Sequence, residues 1–446
     1  MKLNNLAREE ITRVRLQAYG STDAEILVDN VSFTYSNTPY ATPALPEPEA
    51  PTTEEILEEN GIVVLPVKGG ANGIVTLIHD DGYYATGKLL DPLLEEHGLV
   101  ADVAMVVSNV YDEASGAAKP ARLEWQKLLD TGRWGIINHS MTHIFWGSEG
   151  SGVLNVDESL IRKEVVTSGE ILRNLFPSQR ILTFAYPGFQ GLENKYGDVV
   201  YAKMREYVAK NYIAGRYYEK FTQDFYDWEW SFMPAESIGV GYLQTTLNTI
   251  DAAAEGKIAT IFVHNLVTDE DYENRNLAQY GNSYTPMSHI TSVVERIAEH
   301  TESGAVWNAH YEDAVLYLRE AEAASVTFKN NGSSITVNLT HTLDSAIYNY
   351  PLTVRALANS GWEAVKIVQG TEVSYALVKS ENGLTYFDME LVPNAGMATV
   401  TPIAIEDIPT GDGPGAGWGD DITVDSDILD FDNDNGSGTV DNSAWS

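Results

Sequence analysis

Two adjacent carboxylates at the end of an apolar run form the first candidate site. Residues 73–78 are apolar enough to make a buried strand, and Asp80, Asp81 and Gly82 follow closely. Carboxylates at a strand end are costly to bury unless they are paired, hydrogen-bonded or bound to a metal. Because adjacent side chains of an extended strand point in opposite directions, one acid can hold a metal while the other acts on a substrate. A solvated Asp-Asp-Gly turn is the alternative interpretation.

Two of the nine histidines follow another strand-like run, which ends at Asn138. His139 and His143 have i, i+4 spacing, so one turn of helix would place both imidazoles on one face, where they could grip a metal. Asp81 could complete a His-His-Asp triad with positions left for water and a substrate oxygen. Two polar histidines in a surface loop are the alternative interpretation.

The composition limits the kinds of partner. The chain has 446 residues, 43% hydrophobic and 21% charged, which indicates a globular protein of two or three domains. A net charge of -36 argues against nucleic acid and anionic membranes as partners. The absence of cysteine excludes disulfides, zinc–thiolate sites and cysteine nucleophiles. No apolar run approaches the roughly 20 residues of a membrane span, and no signal peptide is visible.

Composition and hydrophobic periodicity divide the chain into five predicted segments. They are a β-hairpin segment at 1–35, a Pro/Glu-rich linker at 36–60, a βα domain at 61–324, a β-sandwich at 325–405 and an acidic Gly/Asp-rich tail at 406–446. The first segment resembles the end of a carbohydrate-binding jelly roll. A short helix is expected over 53–60, because Gly61 is a natural C-cap.

The acidic tail contains a second candidate for metal binding. Its aspartates Asp430, Asp432, Asp434 and Asp441 resemble a fragment of a calcium-binding loop. The glycine and the closing acidic residue do not have the spacing of an EF-hand. An acidic tail without bound Ca²⁺ is therefore the preferred interpretation.

Strand-like and helical runs alternate through the central domain, which predicts a parallel sheet or a barrel. Seven strand candidates favour an incomplete barrel over the regular eightfold one. In such folds the functional site lies at the C-terminal ends of the strands, where the acid pair is expected. The candidates are 73–78, 100–107, 135–138, 181–186, 212–214, 258–263 and 305–308.

Two further strand ends carry polar or special residues. One ends in Tyr186-Pro187-Gly188, and another is followed by His264. Together with the acid pair and the two spaced histidines, this set resembles the polysaccharide deacetylases of carbohydrate esterase family 4, the NodB-homology domain. The resemblance covers roughly 73–324 and implies a distorted (β/α)7 barrel.

The resemblance also implies roles for individual residues. Asp80 would be the general base that activates water, and His264 would be the general acid that protonates the leaving group. The backbone N–H of Gly188 would contribute to an oxyanion hole. Zinc is the default metal, and nickel or cobalt could occupy the same N/O site. The metal ligands would be Asp81, His139 and His143.

The chain departs from the family pattern in its third motif. Ala185 stands where the family usually has an arginine, and Gly188 directly follows Pro187. In the usual members that arginine orients the base with help from an aspartate. Arg216 is a candidate to replace it, and Asp227, in a stretch that resembles the fourth motif, is a candidate for that aspartate.

Aromatic and apolar side chains near the motifs could line sugar subsites, since sugars present apolar faces to rings. Core packing is the alternative interpretation for each of them. His79 takes a position more often filled by an aromatic residue and is expected in the core or beside the metal ligands. The candidates for sugar contact are Tyr84, Trp146, Tyr186, Pro187 and Trp228.

The expected protein is a secreted, extracellular or periplasmic, metal-dependent hydrolase that removes acetyl groups from a polysaccharide. Polymers that contain N-acetylglucosamine (chitin-like, peptidoglycan or exopolysaccharide) are the expected substrates. An acetylxylan esterase with the same mechanism is one alternative, because the same site cleaves esters. A non-catalytic carbohydrate-binding protein is the other, and the missing arginine favours it.

Overall fold

The structure, a computed structural model, divides into two compact units, Met1–Glu322 and Ala323–Ser446. It describes residues 52–143, 157–187, 197–218, 229–238, 242–274 and 283–409. The predicted hairpin at 1–35 and the four aspartates of the predicted tail lie outside these ranges. The predicted short helix is confirmed as Thr53–Asn60, with a capping box at Thr52 and Gly61 as a left-handed C-cap.

Seven parallel strands close into a barrel in the first unit. The seventh strand pairs with the first from Ile258↔Ile74 to Val263↔His79, which completes the ring. The predicted (β/α)7 barrel is therefore confirmed. The strands are β1 Gly73–Asp81, β2 Ala101–Met105, β3 Trp134–Asn138, β4 Thr183–Ala185, β5 Ala214–Tyr218, β6 Met233–Ser237 and β7 Ile258–Val263.

The membership of the barrel differs from the prediction at one strand. The predicted run at 305–308 forms β8, Val306–Asn308, which among the described strands pairs only with the start of β1 (Val306↔Gly73 to Asn308↔Val75). The barrel strand that takes its place is β6, which the sequence did not indicate. Its sequence, MPAES, has a proline and a glutamate in place of an apolar run. Buried Glu236 of β6 is accommodated because it accepts a hydrogen bond from Thr249 at 2.7 Å.

β1 is buried on both faces, as expected for a strand of a parallel barrel surrounded by helices. Val75 and Leu77 belong to the main core with residues of the surrounding helices, such as Leu90. Thr76, on the opposite face, donates a hydrogen bond to Thr260 of β7. The strand therefore projects alternate residues to the helical layer and to the barrel interior.

The helices lie mainly between successive strands, as predicted. None of the helices in the described residues is long and apolar enough to cross a membrane. Minor paired strands are Tyr111–Asp112 with Ala117–Ala118 and Asn265–Val267 with Tyr284–Pro286; Ile62–Val64 precedes β1. The further helices are Tyr84–His97, Val107–Val110, Pro120–Leu129, Glu158–Arg162, Ser168–Leu175, Gly197–Asn211, Leu243–Ala254, Asp269–Glu273, Met287–Glu302 and Tyr311–Ala323, with a π-helical segment at Lys163–Thr167 and 3₁₀ turns at Lys68–Gly70 and Ile405–Asp407.

The second unit consists of antiparallel strands, in agreement with the period-two pattern. Burial alternates along Ile335–Thr340, whose isoleucine, valine and leucine are buried. Its arrangement as a β-sandwich stays a prediction. One sheet has the order Ser325–Asn330, Ile335–Thr340, Ala398–Ile403, Ala364–Gln369 and Glu372–Leu377; Leu352–Leu357, Leu384–Leu391 and Lys379–Glu381 pair separately in that order.

An ion pair between buried Asp102 and partly exposed His310 lies near the N-terminal end of the barrel strands. Nδ1 of His310 is 3.1 Å from a carboxylate oxygen of Asp102, and Nε2 is 3.2 Å from the carbonyl oxygen of Gly132. Both partners accept hydrogen bonds, so both ring nitrogens carry protons and the imidazole is cationic. Burial disfavours this charge, but the Asp102 carboxylate outweighs it and raises the pKa of His310 to about 9.

The pair predicts a pH-dependent contribution to stability. Because the pKa rises from 6.5 to about 9 on folding, the contribution is complete below pH 6.5 and is lost as the pH rises through about 9. It should be on the order of 3 kcal/mol at its maximum. Urea unfolding of the wild type and of His310→Gln at several pH values measures it. A difference in unfolding free energy that stays constant between pH 6 and pH 9.5 would contradict a cationic His310.

Candidate active site

The turn after β1 sets the position of the two carboxylates. Asp81 and Gly82 both have left-handed backbone conformations, with φ of 74° and 73°. This conformation costs a non-glycine residue about 1 kcal/mol or more unless the surroundings determine it. Asn109 donates a 2.6 Å hydrogen bond to the Asp81 carbonyl, and Trp125 donates a 2.9 Å bond to the Gly82 carbonyl. Both bonds hold the turn in place.

Asp81, His139 and His143 come together as a group of potential metal ligands. Oδ1 of Asp81 lies 3.1 Å from Nε2 of His143 and 3.6 Å from Nε2 of His139, and one ligand atom from each lies within 4.8 Å of the others. Bonds of about 2.0 Å to a tetrahedral ion would place ligand atoms about 3.3 Å apart. Asp81 Oδ1 and His139 Nε2 are buried and make no hydrogen bond within the described residues. The group therefore fits a divalent cation.

The charge states of the three side chains also suit a cation. Nδ1 of His139 donates to the Ala185 carbonyl at 2.9 Å, which leaves the Nε2 lone pair directed at the group. Burial lowers the pKa of His139 and favours this neutral form. For Asp81, burial alone would raise the pKa, but the two imidazoles outweigh it and hold the pKa well below its usual range. Asp81 is therefore an anionic ligand.

The two histidines reach this position without the helix that their spacing predicted. Residues 139–143 form a loop with a left-handed residue at Ser140, φ 68°. The loop brings the rings of His139 and His143 to 4.9 Å between centroids. The prediction of a helical turn was wrong, but the prediction that the two imidazoles lie side by side is confirmed.

Asp80 forms a buried ion pair with Arg216 across the barrel. Arg216 is the in-register neighbour of Ala185 on the adjacent strand, and its guanidinium lies 4.5 Å from the centroid of the Phe262 ring. Burial alone would raise the pKa of Asp80, but Arg216, helped by His139 and His264, keeps it below its usual value. Asp80 is therefore ionised.

His264 lies beside the second oxygen of Asp80. Its Nε2 is 4.0 Å from Asp80 Oδ2, and its ring packs edge-on against Phe262 at 5.5 Å between centroids. The side chain is 26% exposed, which gives a substrate access to it. The Asp80 carboxylate thus has the Arg216 guanidinium at one oxygen and the accessible His264 imidazole near the other.

The placement of Tyr186 contradicts its predicted contact with a sugar. The ring is 2% exposed and packs against Phe184 and Phe232, and its hydroxyl donates to the Ser231 carbonyl at 2.7 Å. No face of the ring is open to a ligand, because the residue belongs to a core cluster. Pro187 is buried as well, and its contact with a sugar stays a prediction.

Tyr84 is half-buried and packs edge-on against Trp125, 6.0 Å between centroids. Its contact with a sugar stays a prediction. Four predicted site residues lie outside the described part of the chain: Gly188, Trp146, Trp228 and Asp227.

His79 is a structural residue of the turn after β1. It is fully buried, stacks on Trp125 at 5.8 Å and donates from Nε2 to the carbonyl of Tyr83 at 3.1 Å. Burial lowers its pKa to about 4, so the imidazole is neutral. Nε2 of His79 holds the turn, and His79 does not belong to the group of Asp81, His139 and His143. His79 is therefore not a candidate metal ligand.

Sequence reasoning missed residues around the site. Tyr83 is 47% exposed, and partial burial together with the charge of Asp81 raises the pKa of its phenol. Its position directly after Gly82 was the available signal. Asn109 and Glu164, which hold the turn after β1 and the histidine loop, lie far from them in sequence and gave no local signal.

Comparisons with known proteins give distant likenesses. A search of protein-family models found no match. A gellan lyase of a Bacillus species is 22% identical over an alignment of 357 residues, and the match covers 74% of this chain. The chain spans only about 13% of the length of that relative.

Several solved structures of carbohydrate esterase family 4 are similar to part of the chain. One is the CE4 domain of a multidomain xylanase from the hindgut metagenome of Trinervitermes trinervoides, with 16% identity and a TM-score of 0.33 over 55% of this chain and 89% of that one. Another is the family 4 carbohydrate esterase of Streptomyces lividans, with 15% identity and a TM-score of 0.32 over 54% of this chain and 93% of that one. A third is a peptidoglycan deacetylase mutant of Bacillus subtilis, with 14% identity and a TM-score of 0.32 over 56% of this chain and 95% of that one. At this distance, the chemistry of the chain has to be inferred from its own residues.

Proposed function

We propose that the protein is a metal-dependent hydrolase that removes acetyl groups from a polysaccharide. One observation carries the proposal: the two acids at the end of β1 have separate environments. Asp81 faces two imidazoles with unsatisfied buried atoms, whereas Asp80 is fixed by Arg216 and lies near His264. A pure binding protein needs neither a fixed base nor an adjacent acid.

The residues fit the hydrolysis of an amide or an ester. A divalent cation held by Asp81, His139 and His143, zinc by default, would supply Lewis acidity, which polarises a carbonyl and acidifies water. Asp80 accepts a proton from the attacking water as the new C–O bond forms. His264 donates a proton to the departing nitrogen or oxygen as its bond to the acetyl carbon breaks. The products are acetate and a free amine or hydroxyl.

Arg216 would replace the arginine that the third motif lacks. In-register residues of parallel strands project to the same face of the sheet, so a guanidinium at Arg216 reaches the same interior space as one at Ala185 would. Its ion pair keeps Asp80 ionised and limits the rotation of the carboxylate. The missing arginine is therefore weak support for a decayed active site.

N-acetylglucosamine polymers are the proposed substrates. An amine is a poor leaving group unless it is protonated, so a dedicated acid such as His264 contributes more to amide than to ester cleavage. The half-exposed ring of Tyr83, two residues after Asp81 in the sequence, offers a face for a sugar. A polymeric substrate of this kind implies an extracellular or periplasmic location, which stays a prediction.

The substrate class can be tested by acetate release from the zinc-loaded protein. N-acetylglucosamine oligomers, peptidoglycan and acetylxylan should be compared in parallel, with faster release expected from one of the N-acetylated substrates. Release from acetylxylan alone would replace the proposal with an esterase. No acetate from any of the three, with the metal shown to be bound, would favour a carbohydrate-binding protein.

A further inference from the structure

The loop that carries both candidate histidine ligands has a strained backbone. Ser140 and His143 are non-glycine residues with φ of 68° and 56°, a region that side chains rarely adopt. Such conformations persist where neighbouring groups determine them, and they concentrate at functional sites. The loop must therefore be held by specific contacts.

Part of the support comes from the loop itself and from β2. The backbone N–H of His139 donates to the Met105 carbonyl at 3.0 Å. The N–H of Ser140 donates to Oδ1 of Asn138 at 3.1 Å, and the N–H of His143 donates to Oγ of Ser140 at 3.0 Å. These bonds leave Thr142, the residue before His143, to be fixed from elsewhere.

Glu164 fixes Thr142 with both of its carboxylate oxygens. The Thr142 N–H donates to Oε2 at 2.9 Å, and the Thr142 hydroxyl donates to Oε1 at 2.8 Å. Glu164 is 1% exposed. Burying a carboxylate is costly unless strong hydrogen bonds offset the cost, and here the bonds are directed at the residue next to a candidate ligand.

Glu164 lies in the π-helical segment Lys163–Thr167. This segment interrupts the helix between Arg162 and Ser168, and π segments of this kind occur often at functional sites. The carbonyl of Val165, the next residue, accepts hydrogen bonds from Tyr212 at 2.5 Å and from Nδ2 of Asn138 at 3.3 Å. Because Asn138 precedes His139, the π segment contacts the histidine loop near both of its ends.

We infer that Glu164 is a positioning residue for the metal centre and that the π segment exists to present it to the histidine loop. The inference rests on the proposed metal centre but not on the identity of the substrate. Residues that orient metal ligands at one remove typically change metal affinity 10- to 100-fold when they are replaced. Glu164 acts through the backbone of Thr142, which sets the position of the His143 ring.

The test is the dissociation constant for Zn²⁺, measured by competition with a chromophoric chelator. In Glu164→Gln, an amide NH₂ group replaces one of the two carboxylate oxygens that accept from Thr142. One of the two Thr142 donors therefore loses its acceptor. We expect the dissociation constant to rise roughly 10-fold or more. The matched control is Glu236→Gln, since Glu236 is also buried, at 3% exposure, and also accepts from a threonine hydroxyl. The control should lose stability but keep the wild-type affinity for Zn²⁺.

A second variant covers the case in which Glu164→Gln does not fold. Thr142→Val, at an exposed position, removes only the hydroxyl contact and should raise the dissociation constant by a smaller, several-fold factor. If both variants fold and bind Zn²⁺ with wild-type affinity, the inference is overturned and the proposed function stays intact. If Glu164→Gln does not fold, wild-type Zn²⁺ affinity in Thr142→Val alone has the same consequence. Failure of the wild type itself to bind Zn²⁺ would overturn both. An affinity loss in Glu236→Gln equal to that in Glu164→Gln would reduce Glu164 to a general stabilising residue.

Discussion

Asp80→Asn should lower kcat for acetate release by roughly 10²- to 10⁴-fold, the usual contribution of a general base. An amide cannot accept the proton that the attacking water loses. Zn²⁺ affinity should stay close to that of the wild type, because Asp80 pairs with Arg216 and is not one of the three grouped ligand residues. Isothermal titration and an acetate assay measure the two quantities separately.

The variant also leaves the buried Arg216 without its counter-charge, so a stability loss of about 3–5 kcal/mol is expected. Activity should therefore be measured at a temperature where circular dichroism shows both proteins folded. Asp81→Asn is the paired variant, and it should lose the metal. If Asp80→Asn lost the metal while Asp81→Asn kept its activity, the roles of the two acids would be reversed.

Arg216→Met should move the acidic limb of the kcat–pH profile to higher pH. Asp80 must be ionised to act as a base, and Arg216 is the main group that keeps its pKa low against the effect of burial. Without the guanidinium the pKa rises, so activity is lost first at low pH. A shift of about one to three pH units is expected from the loss of an adjacent arginine.

Two further variants separate this effect from general destabilisation. Arg355→Met breaks another arginine–aspartate pair, in which Arg355 Nε donates to Asp388 at 2.7 Å, and it should not move the profile. Ala185→Arg in an Arg216→Ala background returns a guanidinium from the neighbouring strand and should restore part of the activity. A profile that is unchanged in Arg216→Met would show that Asp80 is not the group that titrates.

The barrel and the strand-end residues of the site were predictable because they depend on local patterns. β1 is a continuous apolar run, and parallel strands bring their C-terminal ends to one edge. That geometry predicts the proximity of Asp80, Asp81, His139 and His264 from strand order alone. β6 escaped prediction because Glu236 and a proline interrupt its apolar character, and the hydrogen bond that satisfies Glu236 comes from a distant segment.

The features that the sequence could not supply depend on contacts between distant segments. Arg216 was a candidate partner for Asp80, but only the register of β4 with β5 shows that it occupies the space of the missing arginine. The two histidines form a pair through a strained loop rather than a helix. Glu164 supports that loop from a π segment whose position follows from packing, not from local propensity.

The most direct measurement of the proposed function is acetate release by metal-stripped protein as zinc is added back, with an N-acetylglucosamine oligomer as substrate. The stripped protein should be inactive, and activity should rise in proportion to zinc until one equivalent is bound, since Asp81, His139 and His143 form the one candidate group in the described residues. Full activity after chelation, with metal analysis showing that no metal remains, would contradict a metal-dependent deacetylase.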